Sequence, residues 1–154
     1  MLAWLNTTVK PMACRIRQLT AEDYLSVRDI FRDEFLGDDI TYRDLRKAWR
    51  YRTPELCFGA TSSTNDLLGF VLVKKSYLVL LGTHALYQGQ GIGTNLLTTV
   101  LSHVASKGTS LHLYPMSQDK RLIDWYRRFG FRMSTGGYMN IHPYMTRSKT
   151  NETS

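Results

Sequence analysis

This chain is short of cysteine, of acid and of long apolar runs, and each shortage excludes something. Its 154 residues include 2 cysteines, Cys14 and Cys57, which excludes a disulfide framework and leads us to expect two buried, reduced thiols. Neither cysteine has a second metal-type ligand at useful spacing, so no metal is expected. Lys74 and Lys75 interrupt the most apolar region well before it reaches the length of a membrane span. The opening Met1 to Leu5 is too short for a signal h-region and has no basic residues ahead of it. Asn6-Thr7-Thr8 and Asn151-Glu152-Thr153 match glycosylation sequons, but nothing else points to secretion, and a cytoplasmic or nuclear protein is expected. Against 13 acids stand 20 lysines and arginines, giving a formal charge of +7 and a pI near 9.6. Such a balance favours anionic partners. There is no internal repeat and no low-complexity segment.

What is present reads as one domain. Residues 1–13 lack a clear period and read as an extension, 14–146 as the folded domain, and 147–154 as a polar tail. Cys14 to Leu19 alternates as a strand does. Thr20-Ala-Glu-Asp23 looks like a helix cap, and Tyr24, Val27, Ile30, Phe31 and Phe35 recur at helical spacing. A second helix is predicted over Tyr42 to Tyr51. Leu56 to Ser62 and Leu67 to Lys74 read as an antiparallel pair, and Ser76 to Thr83 as the next strand. A helix with Leu96, Leu97, Val100, Leu101 and Val104 on one face ends at Lys107-Gly108. Strand Ser110 to Tyr114, a helix over Asp119 to Arg128, and strands Phe131–Ser134 and Tyr138–Tyr144 complete the expected order.

The chemistry gathers at Gln88-Gly89-Gln90-Gly91-Ile92-Gly93, a glycine-rich turn between a strand and a helix. Such a turn leaves backbone N–H groups free at a helix start, where they and the helix dipole bind anions, phosphate above all. Its spacing is not that of a dinucleotide fold, and no Gly-Lys-Ser/Thr follows, so a P-loop fails as well. Gln-x-x-Gly-x-Gly after this strand resembles the acetyl-CoA signature of the GNAT acetyltransferases. A second motif agrees with it. Asp124-Trp125-Tyr126-Arg127-Arg128-Phe129-Gly130-Phe131 looks like that family's helix-four ending, with Phe-Gly-Phe where Leu-Gly-Phe is usual. On its own this stretch reads as an aromatic core face with a glycine C-cap.

The resemblance covers roughly residues 14 to 144 and implies an α/β (α+β) fold, a mixed, mostly antiparallel sheet flanked by about four helices. It implies acetyl-CoA as co-substrate and direct attack by an amine, with no covalent enzyme intermediate. The loop Gln88, Gly89, Gln90, Gly91, Ile92 and Gly93 would hold the pyrophosphate. Leu81 would offer its amide to the acetyl oxygen, Thr83 would pair with the pantetheine arm, and Tyr126 would protonate the departing thiolate. Some relatives carry a glutamate base at the position of Tyr77, but this strand has no acid. A water relay is therefore expected, with His84 or His112 as candidates.

Five acids, Asp33, Glu34, Asp38, Asp39 and Asp44, fall within twelve residues of an otherwise basic chain. A solvated helix end explains them as well as a binding site does. Read functionally, Glu34, Asp38 and Asp39 would attract a cationic acceptor, with Tyr42, Tyr138 and Tyr144 as candidate walls. The expected function is acetyl transfer to a small cationic amine such as a polyamine. A protein lysine or a polypeptide N-terminus is the alternative, and a non-catalytic acyl-CoA-binding module is the alternative of another class. Arg46, Lys47, Arg50 and Arg52 form a basic run that reads as a solvated face. No nucleic-acid motif is present, so no nucleic-acid partner is expected, nor any membrane partner; a homodimer is left open.

Overall fold

The computed structural model describes residues 14–35, 40–115 and 119–142. Seven strands form one sheet in the order β1-β2-β3-β4-β5-β7-β6, and every neighbouring pair is antiparallel except β4 and β5. The strands are β1 (Arg15–Gln18), β2 (Phe58–Thr61), β3 (Leu67–Lys74), β4 (Tyr77–Thr83), β5 (Leu111–Leu113), β6 (Arg132–Met133) and β7 (Met139–Ile141). Helices α1 (Tyr24–Phe35) and α2 (Tyr42–Arg50) cover one face, and α3 (Ile92–Ser106) and α4 (Lys120–Arg127) the other. The order of elements matches the one predicted.

Each face has its own core. Ile92, Leu96, Leu97, Val100, Leu101 and Val104 of α3 are all buried, as their spacing predicts. Burying such side chains stabilises the fold by about 1.5–3 kcal/mol apiece, an upper estimate. Gly69 lets α3 approach β3, since a Cβ there would lie 2.9 Å from Ile92. On the other face Val27, Ile30 and Phe31 pack with Leu45, Phe70, Leu72 and Leu80.

Several boundaries differ from the expected ones. Pro54 opens a 3₁₀ turn over Pro54–Leu56, because its fixed φ and missing N–H suit a helical start and not a ladder. Leu56 therefore joins the core from a turn, and β2 begins only at Phe58. Thr41 caps α2: its amide donates to Asp44 at 2.8 Å and its hydroxyl accepts from the Asp44 amide at 3.4 Å. Cys57 is buried as expected, whereas Cys14 is only half-buried. Asp38, Asp39 and Tyr144 lie outside the described residues.

Candidate active site

Beta strands β4 and β5 share a single bridge, Tyr77 to His112, with a further bond from the His112 amide to the Ser76 carbonyl at 2.8 Å. Beyond that root the two strands have no ladder between them. A cavity of about 660 Å³ occupies the gap, lined from Leu78 to Thr83 on one side and by Leu113 and Tyr114 on the other. The gap owes its shape partly to a bulge. Leu80 pairs with Leu72 but Leu78 pairs with Val73, so Val79 is the extra residue. As a result Val79 and Leu80 both face the α1/α2 core, while Leu78 and Leu81 face the α3/α4 core.

Amide directions follow from the ladder. The His84 amide donates to the Leu68 carbonyl at 2.7 Å. Antiparallel pairing alternates, so Gly82 and Leu80 also face β3, and the amides of Leu81 and Thr83 point the other way, into the gap. These are the two residues that the resemblance singled out.

At the far end of β4 the chain makes a 3₁₀ turn, Ala85–Tyr87, and then the glycine loop. Gly89 and Gly91 have φ of +80° and +83°, a region that side chains with a Cβ enter only at a cost of roughly 1–2 kcal/mol. Nothing lies within 4 Å of where a Cβ at either position would sit. Gly91 is the N-cap of α3, and the first intrahelical bond is Asn95 N–H to the Gly91 carbonyl at 3.0 Å. The amides of Ile92, Gly93 and Thr94 thus have no partner within the helix. Open space over unpaired amides and a positive helix end fits a pyrophosphate.

Tyr126 sits on α4, 7% exposed, with its ring edge-on to Trp125 and Phe131. Burial pushes its phenol up to about 12. It lines the cavity, and its hydroxyl forms no hydrogen bond among the described residues. Trp125 lies beside it and stands 3.7 Å from the Cβ position of Gly93.

Of the residues expected at the site, Leu81, Thr83, Gln88, Gly89, Gly91, Ile92, Gly93, Tyr126 and Glu34 line this one cavity. Gln90 does not line it. The acidic cluster does not gather into a site among the described residues. Asp33 pairs with Arg32 at 3.4 Å, Asp44 caps α2, and Glu34 accepts from Gln88 Nε2 at 2.6 Å. His84 does not line the cavity; its Nδ1 accepts from the Leu86 amide at 3.1 Å and caps the Ala85–Tyr87 turn. Tyr42 packs against Phe31 and does not line the cavity.

Phe35, Thr94, Tyr114, Trp125, Tyr87 and Leu122 line the cavity without having been singled out. Tyr114 matters most, because it connects the cavity to an aromatic floor. Its ring is 5.8 Å from Tyr77 and 5.6 Å from Tyr138, and His112 is 5.1 Å from Tyr77 and 6.1 Å from Tyr138. The His112 Nδ1 is 3.4 Å from the Ser76 hydroxyl. Desolvation raises the Tyr77 phenol, with Tyr114 adding to the effect. The four rings come from β4, from β5 and the residue after it, and from the residue before β7, a spacing that carries no sequence signal to unite them.

A family profile described as the Acetyltransferase (GNAT) family matches residues 24–131. N-alpha-acetyltransferase 50 of Danio rerio is 36% identical over 123 residues, which span 77% of this chain and 69% of that protein. Among solved structures, Ard1 from Thermoplasma volcanium aligns with a TM-score of 0.70 at 20% identity, covering 85% of this chain and 98% of that one. Arabidopsis thaliana Naa50, in complex with the bisubstrate analogue CoA-Ac-MVNAL, aligns with a TM-score of 0.68 at 21% identity, covering 80% and 85% of the two chains. At these identities the solved structures speak for the fold alone. The chain belongs to the GNAT acetyltransferase family, and it is an acetyl-CoA-dependent N-acetyltransferase.

Proposed function

We propose that the acceptor is the α-amino group of a polypeptide, and that the polyamine expectation should be given up. The observation that carries this reading is the floor of Tyr77, His112, Tyr114 and Tyr138 at the root of the β4/β5 gap. It is aromatic and holds no carboxylate. A polyamine site calls for several carboxylates, whereas among the described residues Glu34 is the one acid lining the cavity, and it already accepts from Gln88. The name of the zebrafish relative and the peptide in the Arabidopsis complex support the same choice.

Acid–base chemistry favours an α-amine over a lysine. A polypeptide α-ammonium loses its proton some ~2.5 units below a lysine ammonium. Deprotonating the α-amine near neutral pH is therefore the less costly step. His112, held between Ser76 and Tyr77, takes that proton through water. The amide of Leu81 donates to the oxygen on which negative charge grows, a contribution that strengthens as the charge forms. Thr83 pairs with the pantetheine arm, and the loop from Gln88 to Gly93 holds the pyrophosphate. Acetyl-CoA supplies the activated acyl group. Tyr126 retains its proton until a thiolate appears beside it. The burial that raises Tyr126 also raises a thiol left in the same pocket, so the proton has an acceptor.

Steady-state kinetics with an unblocked neutral peptide and with spermidine tests the reading. A kcat/KM for the peptide at least tenfold higher is expected. Turnover of spermidine with no turnover of any free N-terminus would reverse it.

A further inference from the structure

The basic run that the sequence presents as a solvated face acquires a second strand of contacts in the fold. Lys74 ends β3 and is the Cα partner of Tyr77 at the start of β4. Partners across a ladder project to the same face, so the Lys74 side chain leaves the sheet on the side of Tyr77, His112 and α2. There its Nζ stands 5.5 Å from the ring centroid of Tyr51, just past the end of α2. Arg50 stands 5.6 Å from the same ring. Tyr51 itself is 52% exposed. Two hydrogen bonds fix this arrangement: the Thr53 amide donates to the Val73 carbonyl at 2.8 Å, and the Lys75 amide to the Thr53 hydroxyl at 2.7 Å.

No carboxylate lies within ion-pair distance of Arg50, Lys74 or Lys75 among the described residues. The nearest acids in sequence are committed elsewhere, Asp44 to the cap of α2 and Glu55 to Lys107 at 3.7 Å. The tyrosine ring attracts each cation through its quadrupole but neutralises neither. An exposed aromatic ring between two unpaired cations thus lies one strand away from Tyr77, and Tyr77 touches the cavity-lining Tyr114. Strand spacing and side-chain reach put the Tyr51 patch on the order of 10–15 Å from the Tyr77 ring. An extended polypeptide crosses that distance in about three to five residues.

We propose that Arg50, Tyr51 and Lys74, with Lys75 at the rim, bind acidic side chains of the acceptor polypeptide a few residues downstream of the amine that is acetylated. This rests on the polypeptide reading above and names a selectivity within it. The patch acts on docking, not on chemistry. Carboxylates in the downstream segment lower KM and leave kcat unchanged, and added salt erases the preference because the pairs are exposed.

The experiment uses the full chain with two peptides that share their first two residues and differ only at positions three to six, Asp/Glu in one and Asn/Gln in the other. Acetylation kinetics is measured for the wild type and for the double variant Arg50→Gln/Lys74→Gln, at low and raised salt. In parallel, fluorescence anisotropy reads binding of both labelled peptides to protein saturated with CoA, which needs no turnover. A preference of about three- to tenfold for the acidic peptide is expected, carried by KM, and lost in the double variant with kcat for the neutral peptide intact. Equal KM and equal binding for the two peptides would overturn the proposal, as would a preference that survives in the double variant. Absence of peptide preference together with salt-sensitive binding of a single-stranded oligonucleotide, lost in the double variant, would reassign the patch to nucleic acid. If neither peptide is acetylated but the acidic one still binds better, the docking surface stands and the acceptor reading fails.

Discussion

Gln88 Nε2 donates to the carboxylate of Glu34 at 2.6 Å and to the carbonyl of Thr83 at 3.3 Å, so both hydrogens of one amide tie the end of α1 to the end of β4. The first residue of the glycine loop is thereby anchored from two sides before any ligand arrives. Glu34→Ala removes the charged partner. The Michaelis constant for acetyl-CoA is expected to rise roughly three- to tenfold with kcat little changed, given the usual worth of such a bond. Glu34→Gln keeps an acceptor oxygen and should fall between the two. Initial rates across acetyl-CoA concentrations check this, and an unchanged constant in Glu34→Ala would show that the anchor has no part in loop order.

Tyr126→Phe keeps the ring that packs against Phe131 and removes the proton. Turnover should fall by about 10²–10⁴, the usual range for a positioned acid, with CoA affinity by calorimetry within about threefold of the wild type. The pH dependence has a definite sign. The phenol is pushed up to about 12, so the group stays protonated, and competent as an acid, through neutral and moderately alkaline pH. No loss of kcat from this group is expected between pH ~7 and ~10, where an ordinary tyrosine would already be titrating. An alkaline limb inside that range that disappears in Tyr126→Phe would contradict the burial argument.

Gly91→Ala separates backbone strain from occupancy. The position has φ of +83° and empty space where the methyl would go. The strain alone should lower stability by about 1–2 kcal/mol. Affinity for CoA should fall as well, because the methyl and the altered loop both intrude on the amides at the start of α3. Urea melts and calorimetry read the two effects separately. A variant as stable and as tight as the wild type would remove Gly91 from the cradle.

Away from the site, Asp23 accepts from both terminal nitrogens of Arg17, at 2.8 and 2.9 Å, and from the Thr20 amide at 2.7 Å. The Arg17 hydrogen bonds hold its carboxyl below the ordinary value, with the Thr20 amide and the Arg17 charge acting in the same direction. A depressed carboxylate stabilises the fold above its unfolded value of about 3.9 and ceases to do so as pH falls through its folded value. Asp23→Asn should therefore cost about 1–3 kcal/mol at neutral pH, and its stability should depend less on pH below about 4 than that of the wild type. Urea midpoints at pH 7 and pH 3 give both quantities.

The elements, and the residues that the glycine loop and Tyr126 bring to the cavity, were legible because their signals are local. Periodicity gave α3 its buried face, and the glycine loop and Tyr126 each sit in a contiguous motif. The resemblance pointed to Thr83 and Leu81, and both line the cavity from the strand before that loop. The proposed acceptor floor was not legible as a unit, for the opposite reason, although His112 and Tyr138 were each named singly. Tyr77, His112, Tyr114 and Tyr138 come from β4, from β5 and the residue after it, and from the residue before β7, and meet because a parallel bridge joins β4 to β5 and an antiparallel ladder joins β5 to β7. The acids near α1 are described only in part, since Asp38 and Asp39 lie outside the described residues. Adjacency in sequence suggested a cluster, but Asp44 turned to its own helix cap and Glu34 to Gln88. Local hydrogen bonds hold these two acids.

The most direct test of the central claim offers one peptide with both a free α-amine and an internal lysine, together with spermidine, to the protein and acetyl-CoA in a single reaction. Tandem mass spectrometry then locates the acetyl group. The account predicts acetylation on the peptide α-amine, with the lysine and spermidine essentially unmodified. Acetyl found on spermidine or on the lysine side chain, with the α-amine untouched, would contradict it.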